Sequence, residues 1–207
     1  MSDYSRPPFE SAKSGLASLL SGALASLLTM LAILGVMWAV EIFDYLTPGT
    51  PDLAYGIRGW DPNGLVGIFT APFLHGGFGH LIANSLPLLV LGFLAGLRGI
   101  GKFLAASLLI VVIGGIGTWF TSPGVVTVGA SGLVFGYFGY VVARGLFDRR
   151  ALDIVIAVGV TIAYWSILTG VLPSDPHISW QGHLFGLIGG IVAAWVLRRP
   201  SGAVRRY

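Results

Sequence analysis

Six apolar runs alternate with short polar or glycine-rich breaks: Leu16–Phe43, His80–Leu97, Phe103–Phe120, Ser131–Ala143, Ile154–Leu172 and Gly182–Leu197. Most approach the ~20 residues that a helix needs to cross a bilayer, and the fourth is conspicuously short. The pattern predicts an all-α polytopic membrane protein with six transmembrane helices. The connection from Asp44 to about Phe78 is long and rich in Gly, Pro and Asp. It keeps apolar and aromatic residues at Trp60, Leu65, Val66, Ile68, Phe69 and Phe73, so it reads as a folded loop lying partly in the membrane interface. Around the six-helix membrane domain, 16–198, the pattern leaves a short tail at 1–15 and a basic tail at 199–207. The start of the chain does not read as a cleaved leader, because the first apolar run is too long and no A-x-A-like site ends it.

Composition agrees with a bilayer as solvent. Of the 207 residues, 55% are hydrophobic and 10% charged, against the ~25% charged of a soluble domain. The 31 glycines suit helices that pack closely and backbone that turns irregular where it lines a cavity. There are no cysteines, which excludes disulfides, thiolate catalysis and zinc-thiolate sites. Of the 12 basic residues, Arg6, Lys13, Arg98, Lys102, Arg144, Arg149, Arg150, Arg198, Arg199, Arg205 and Arg206 fall on one side of a six-crossing chain, and Arg58 on the other. That asymmetry predicts cytosolic termini. Arg198, Arg199, Arg205 and Arg206 read as membrane anchors that touch anionic lipid, not as a nucleic-acid patch.

Polar side chains inside such helices call for a reason. Taking the basic residues as the cytosolic level, Ser131 lies 13 positions before Arg144, Asn84 14 before Arg98 and His183 15 before Arg198. At ~1.5 Å per residue these sit about 20, 21 and 22 Å above that level, with His80 one turn higher at about 27 Å. Three helices thus bring polar groups to one depth, about 10 Å below the outer surface of a ~30 Å core. Gly129-Ala130-Ser131-Gly132 places a serine among small residues at a helix start, where free N–H groups can hold an oxyanion. The preceding loop, with Val125, Val126 and Val128, reads as dipping into the membrane. Gly186 and Gly190 form a G-x-x-x-G face below His183, and Gly132, Gly136 and Gly139 form a similar stripe. Helices packed on those faces would bring His183 to Ser131 as general base. His80 and Asn84, at i and i+4, share a face and can donate to a developing oxyanion. All nine acids lie in tails, loops or helix ends, Glu41 and Asp153 among them, so no carboxylate sits at His183 and a Ser–His dyad is the economical reading.

These motifs in combination resemble the rhomboid intramembrane serine proteases, over about Ala71 to Gly190. Gly129-x-Ser131-Gly132 is similar to the family's G-x-S-G, Gly182-His183-x-x-Gly186 to its G-H-x-x-G, and His75, His80 and Asn84 to its H-x4-H-x3-N. The resemblance implies Ser131 as nucleophile, His183 as base, and an oxyanion hole from the Ser131 N–H with His80 and Asn84. It implies His75 as a supporting loop residue and transmembrane proteins as substrates. No cofactor or metal is expected, and a bacterial plasma membrane is the expected location because no organelle transit peptide or extra helix is visible. Two positions depart from the family pattern: Val66-Gly67 stands where many members have a Trp-Arg pair, and Phe135 where many have a tyrosine stacked on the histidine. Phenylalanine keeps the stacking face and loses only the hydroxyl.

Blander readings compete at each position. A lone G-x-S-G arises by chance in glycine-rich helices, a membrane histidine can simply bond to a neighbouring helix, and His80 with Asn84 could brace helices. His75 could cap its loop. His177 reads as a solvated residue, and Trp38, Trp119, Trp165 and Trp180 as interface or packing aromatics. The competing function is a non-catalytic rhomboid-like protein that binds or escorts membrane clients. Such a protein is expected to lose the serine or the histidine, and this chain has both. A small transporter is disfavoured, since no acid or base sits in a mid-membrane relay and no inverted repeat is visible.

Overall fold

A computed structural model describes residues 8–47, 54–175 and 178–198, with side chains from residue 17 onward. The fold is all-α. Its long helices are α1 (Pro8–Leu46), α2 (Phe78–Gly96), α3 (Ile100–Thr121), α4 (Ser131–Asp148), α5 (Ala151–Tyr164) and α6 (Trp180–Val196). The stretches Ala17–Leu46, Phe78–Gly96, Ile100–Thr121 and Ala151–Val171 are long and apolar enough to span a bilayer. The protein is therefore an integral membrane protein. Arg6, His177, Arg199, Arg205 and Arg206 lie outside the described residues, and so does the Lys13 side chain.

Helix α4 differs from the others, and burial explains why. Twelve of its residues are buried, from Leu133 through Gly145, whereas α5 buries only Asp153, Ala157 and Val160. A helix wrapped by other helices needs no lipid-facing apolar coat, so it tolerates polar groups that shorten its hydrophobic signal. The helix continues past the expected end at Ala143 to Asp148. Arg144 is not an exposed marker of the membrane surface. It is buried, its Nε lies 3.3 Å from Asp153, and its Nη1 donates to the Leu94 carbonyl at 3.3 Å, near the end of α2. Arg98 joins the same network through Asp148 at 2.7 Å and through Asp153. Two cations and two carboxylates thus tie α2, α4 and α5 together. Removing one partner from such a network strands a buried charge, a larger penalty than the pair's net contribution.

Two other boundaries differ from the apolar pattern. Helix α1 reaches back to Pro8, through Glu10 and Lys13, where a tail at 1–15 was expected; proline is well suited to a helix's first turn. The fifth run is α-helical only to Tyr164 and continues as a 310 stretch, Trp165–Val171.

The glycine stripes meet as the spacing implies. A Cβ on Gly186 would collide with the Gly132 carbonyl, and one on Gly190 with the Gly136 carbonyl. The backbones of α4 and α6 therefore touch along two turns, a contact that larger residues would abolish. The long loop is also folded. Helical turns at Pro62–Val66, Gly67–Thr70 and Ala71–Phe73 follow strand β1 (Ile57–Arg58), which pairs antiparallel with β2 (Val126–Thr127). Ile57 faces Thr127 and Arg58 faces Val126, so the first loop is clamped to the loop that leads into Ser131.

Candidate active site

Ser131 is the first residue of α4, and several contacts fix the turn that delivers it. Gly129 has φ 118°, a backbone conformation that side chains disfavour. A Cβ there would also lie 2.7 Å from His80 Nε2, so glycine is needed for space as well. The Gly129 N–H donates to the Ala71 carbonyl at 2.9 Å, and the Ala130 N–H donates to His75 Nε2 at 3.4 Å. His75 is fully buried, with its ring edge-on to His80 at 5.2 Å. Its contact is to the backbone of the turn just before Ser131. Ser131 itself is half-buried, and the first-turn N–H groups of α4 have no intrahelical acceptor.

His183 enters from α6. The Ser179 side chain caps that helix by accepting from the Gly182 N–H at 3.2 Å. The imidazole is buried and lies flat on Phe135, with ring centroids 4.0 Å apart and planes 10° apart. Its Nδ1 is 2.9 Å from the Gly170 carbonyl. A carbonyl only accepts, so Nδ1 carries the proton and Nε2 is left as an acceptor.

His80 and Asn84 share the predicted face of α2. His80 Nδ1 accepts from the Gly76 N–H at 3.4 Å, which in the neutral ring leaves the proton on Nε2. The Asn84 amide donates one hydrogen to the His80 carbonyl at 3.0 Å and holds a second in reserve. Ser131, His183, His80 and Asn84 all line one cavity of about 870 Å³. Loop residues Val125–Val128 and Pro173–Asp175 line it too. Ser131 and His183 are not hydrogen-bonded to each other among the described residues, a looseness common before substrate binds.

Burial pushes the His75 imidazolium down to about 4 from 6.5; the nearby His80 adds to the effect and the Phe73 carbonyl opposes it. The folded protein therefore holds His75 neutral where the unfolded chain would bind a proton. Stability is expected to fall as pH drops from about 6.5 towards 4, the window between the unfolded and folded values. His75→Phe should flatten that part of the pH dependence, whatever its stability at neutral pH. Thermal denaturation at pH 7 and pH 4.5 checks this, and an unchanged acid loss would remove His75 as the cause.

Three contacts of the site escaped the sequence. The Gly170 and Ala71 carbonyls are backbone acceptors, which leave no residue signature. The Ser179 cap was readable, since serine before a helix start is an ordinary capping signal.

Comparison with known proteins gives a consistent picture. The rhomboid domain family matches residues 62–200. An uncharacterized Mycobacterium tuberculosis protein is 41% identical, covering 86% of this chain and 77% of its own. An uncharacterized Mycobacterium leprae protein is 40% identical, covering 86% and 73%. The rhomboid protease GluP of Bacillus subtilis is 32% identical over 65% of this chain and 26% of its own length.

Proposed function

Because the chain belongs to the rhomboid family, we propose that it is an intramembrane serine endopeptidase with Ser131 as nucleophile and His183 as general base. One observation carries this reading: Ser131 and His183, from separate helices, open onto a single cavity whose wall also presents His80 and Asn84. In this mechanism Ser131 Oγ attacks the scissile carbonyl carbon while His183 Nε2 takes its proton. The resulting oxyanion accepts hydrogen bonds from the Ser131 N–H, His80 Nε2–H and the spare Asn84 amide hydrogen. Collapse of the tetrahedral intermediate breaks the C–N bond, and His183 returns the proton to the leaving amine. Water then hydrolyses the acyl-serine with His183 again as base.

A serine-directed fluorophosphonate tests this reading. The detergent-solubilised protein should be labelled, and the Ser131→Ala variant should not. Equal labelling of both, or none of the wild type, would favour the non-catalytic reading in which the cavity only binds membrane clients.

The substrates of this reading are membrane proteins whose spanning helix carries Gly or Pro near the outer boundary. A scissile bond in a helix is protected by its own hydrogen bonds, so the segment must unwind to reach Ser131. Replacing those Gly or Pro residues by Leu is expected to slow cleavage, as measured by the product released from a fusion substrate. Unchanged cleavage would refute the requirement.

The same reading places six crossings in a bacterial plasma membrane, with both termini cytosolic and lipid around the bundle. Since the chain has no cysteine, single cysteines give a clean topology probe. An impermeant thiol reagent on intact cells is expected to label a cysteine at Asp52 and spare one at Ser201. The reverse pattern would invert the orientation.

A further inference from the structure

A histidine acting as base needs one ring nitrogen free for the nucleophile and a partner on the other nitrogen that fixes the tautomer and favours the imidazolium. Serine proteases commonly use a carboxylate for that partner. Here Asp175 lines the same cavity, but the His183 Nδ1 contact is to the Gly170 carbonyl, and the buried acids among the described residues, Glu41 and Asp153, lie on other parts of the fold. We infer that the Gly170 carbonyl takes that place, as a positioning group that holds His183 with Nδ1 protonated and Nε2 facing Ser131. The inference rests on the Ser131–His183 reading and names the partner that makes the dyad sufficient.

Three observations converge on it. The Nδ1 to carbonyl distance of 2.9 Å is a full hydrogen bond, made to a ring that is almost wholly buried. The ring cannot swing away, because Phe135 lies flat against it at 4.0 Å. Gly170 is also pressed into the same contact: a Cβ there would stand 2.8 Å from Phe135 Cζ and 3.0 Å from His183 Nδ1. A side chain at this position would wedge the carbonyl off the imidazole, so glycine is what permits the approach.

The local backbone explains how a loop carbonyl is held in place. Gly170 belongs to the 310 stretch Trp165–Val171, where Leu172 N–H donates to the Thr169 carbonyl at 3.1 Å. The 310 stretch continues α5, whose other end is fastened by Asp153 to Arg144 and Arg98. The acceptor that orients the base is thus carried by the helix with the fewest buried residues of its own. When a proton moves from Ser131 to Nε2, the ring gains a positive charge beside the oxygen end of a fixed carbonyl dipole. The bond strengthens as the transition state forms, so it accelerates the reaction rather than merely tightening the fold.

A carbonyl can be weakened without changing any side chain. Replacing Val171 by its α-hydroxy analogue turns the 170–171 amide into an ester, whose carbonyl is a poorer acceptor. The same exchange at Leu172 is the control, because it disturbs the same turn and leaves the Gly170 carbonyl an amide. The Val171 ester is expected to lose about tenfold in kcat, the scale of one weakened hydrogen bond, with KM and melting temperature near wild type. The Leu172 ester is expected to keep its kcat. Equal losses in both esters, or none in the Val171 ester, would overturn the role of Gly170. Ser131→Ala and His183→Ala assayed alongside separate the two levels of argument. If they are inactive while the Val171 ester is normal, the dyad stands and only the carbonyl partner falls; if His183→Ala is active, the dyad itself is wrong.

Discussion

Ser131→Ala and His183→Ala are each expected to reduce proteolysis to the background rate, a loss on the order of 10⁶ in kcat where nucleophile and base act as one unit. The expectation follows from the order of events. Without the Ser131 hydroxyl no acyl-enzyme forms, and without the His183 ring the hydroxyl keeps its proton and stays a weak nucleophile. The two variants should differ in stability. Ser131 is half-buried at a helix start, so alanine removes little packing. His183 is buried, stacks on Phe135 and bonds to Gly170, so its removal leaves a cavity and an orphaned carbonyl acceptor. Assay of a fusion substrate, with melting temperature measured on the same preparations, separates chemistry from folding. If either variant cleaves at the wild-type rate, the assignment fails; if Ser131→Ala is inactive only because it no longer folds, the melting temperature shows it.

The constellation was legible because its parts sit on regular helices. Similar counts back to Arg98, Arg144 and Arg198 placed Asn84, Ser131 and His183 near one depth, and in the structure all three open onto one cavity. The glycine stripes were legible for a similar reason: Gly186 and Gly190 lie one turn apart, and they meet Gly132 and Gly136 in turn. Phe135 was placed against His183 by the family resemblance, and the rings are stacked. Arg144 was misjudged, because hydropathy treats every arginine as a surface group. Its partners Asp153 and Leu94 come from α5 and α2, and no local pattern announces them. Strands β1 and β2 are two residues each, too short to show alternation, yet their pairing joins the first loop to the loop that leads into Ser131. What the sequence withheld was therefore mostly long-range pairing and backbone acceptors. The side chains that line the cavity were on view.

Asn84→Ala is expected to lower kcat by about 10²–10³, the usual cost of one oxyanion-hole donor, and to leave KM nearly unchanged. Asn84 is buried on the cavity wall of α2, one turn from His80. One amide hydrogen is committed to the His80 carbonyl at 3.0 Å, which fixes the side chain along its own helix, and the other remains to be offered to substrate. Attack by Ser131 turns a neutral carbonyl oxygen into an anion on the cavity wall beside Asn84. The donor is therefore worth far more in the transition state than in the substrate complex. Alanine is the better helix former and the lost bond is local, so α2 should still fold. The alternative is that Asn84 only braces α2, through that same bond. In that case the variant would melt earlier while each folded molecule kept its rate. Measuring kcat and melting temperature on one purified preparation tells these apart, and a destabilised enzyme with normal kcat would take Asn84 out of the oxyanion hole.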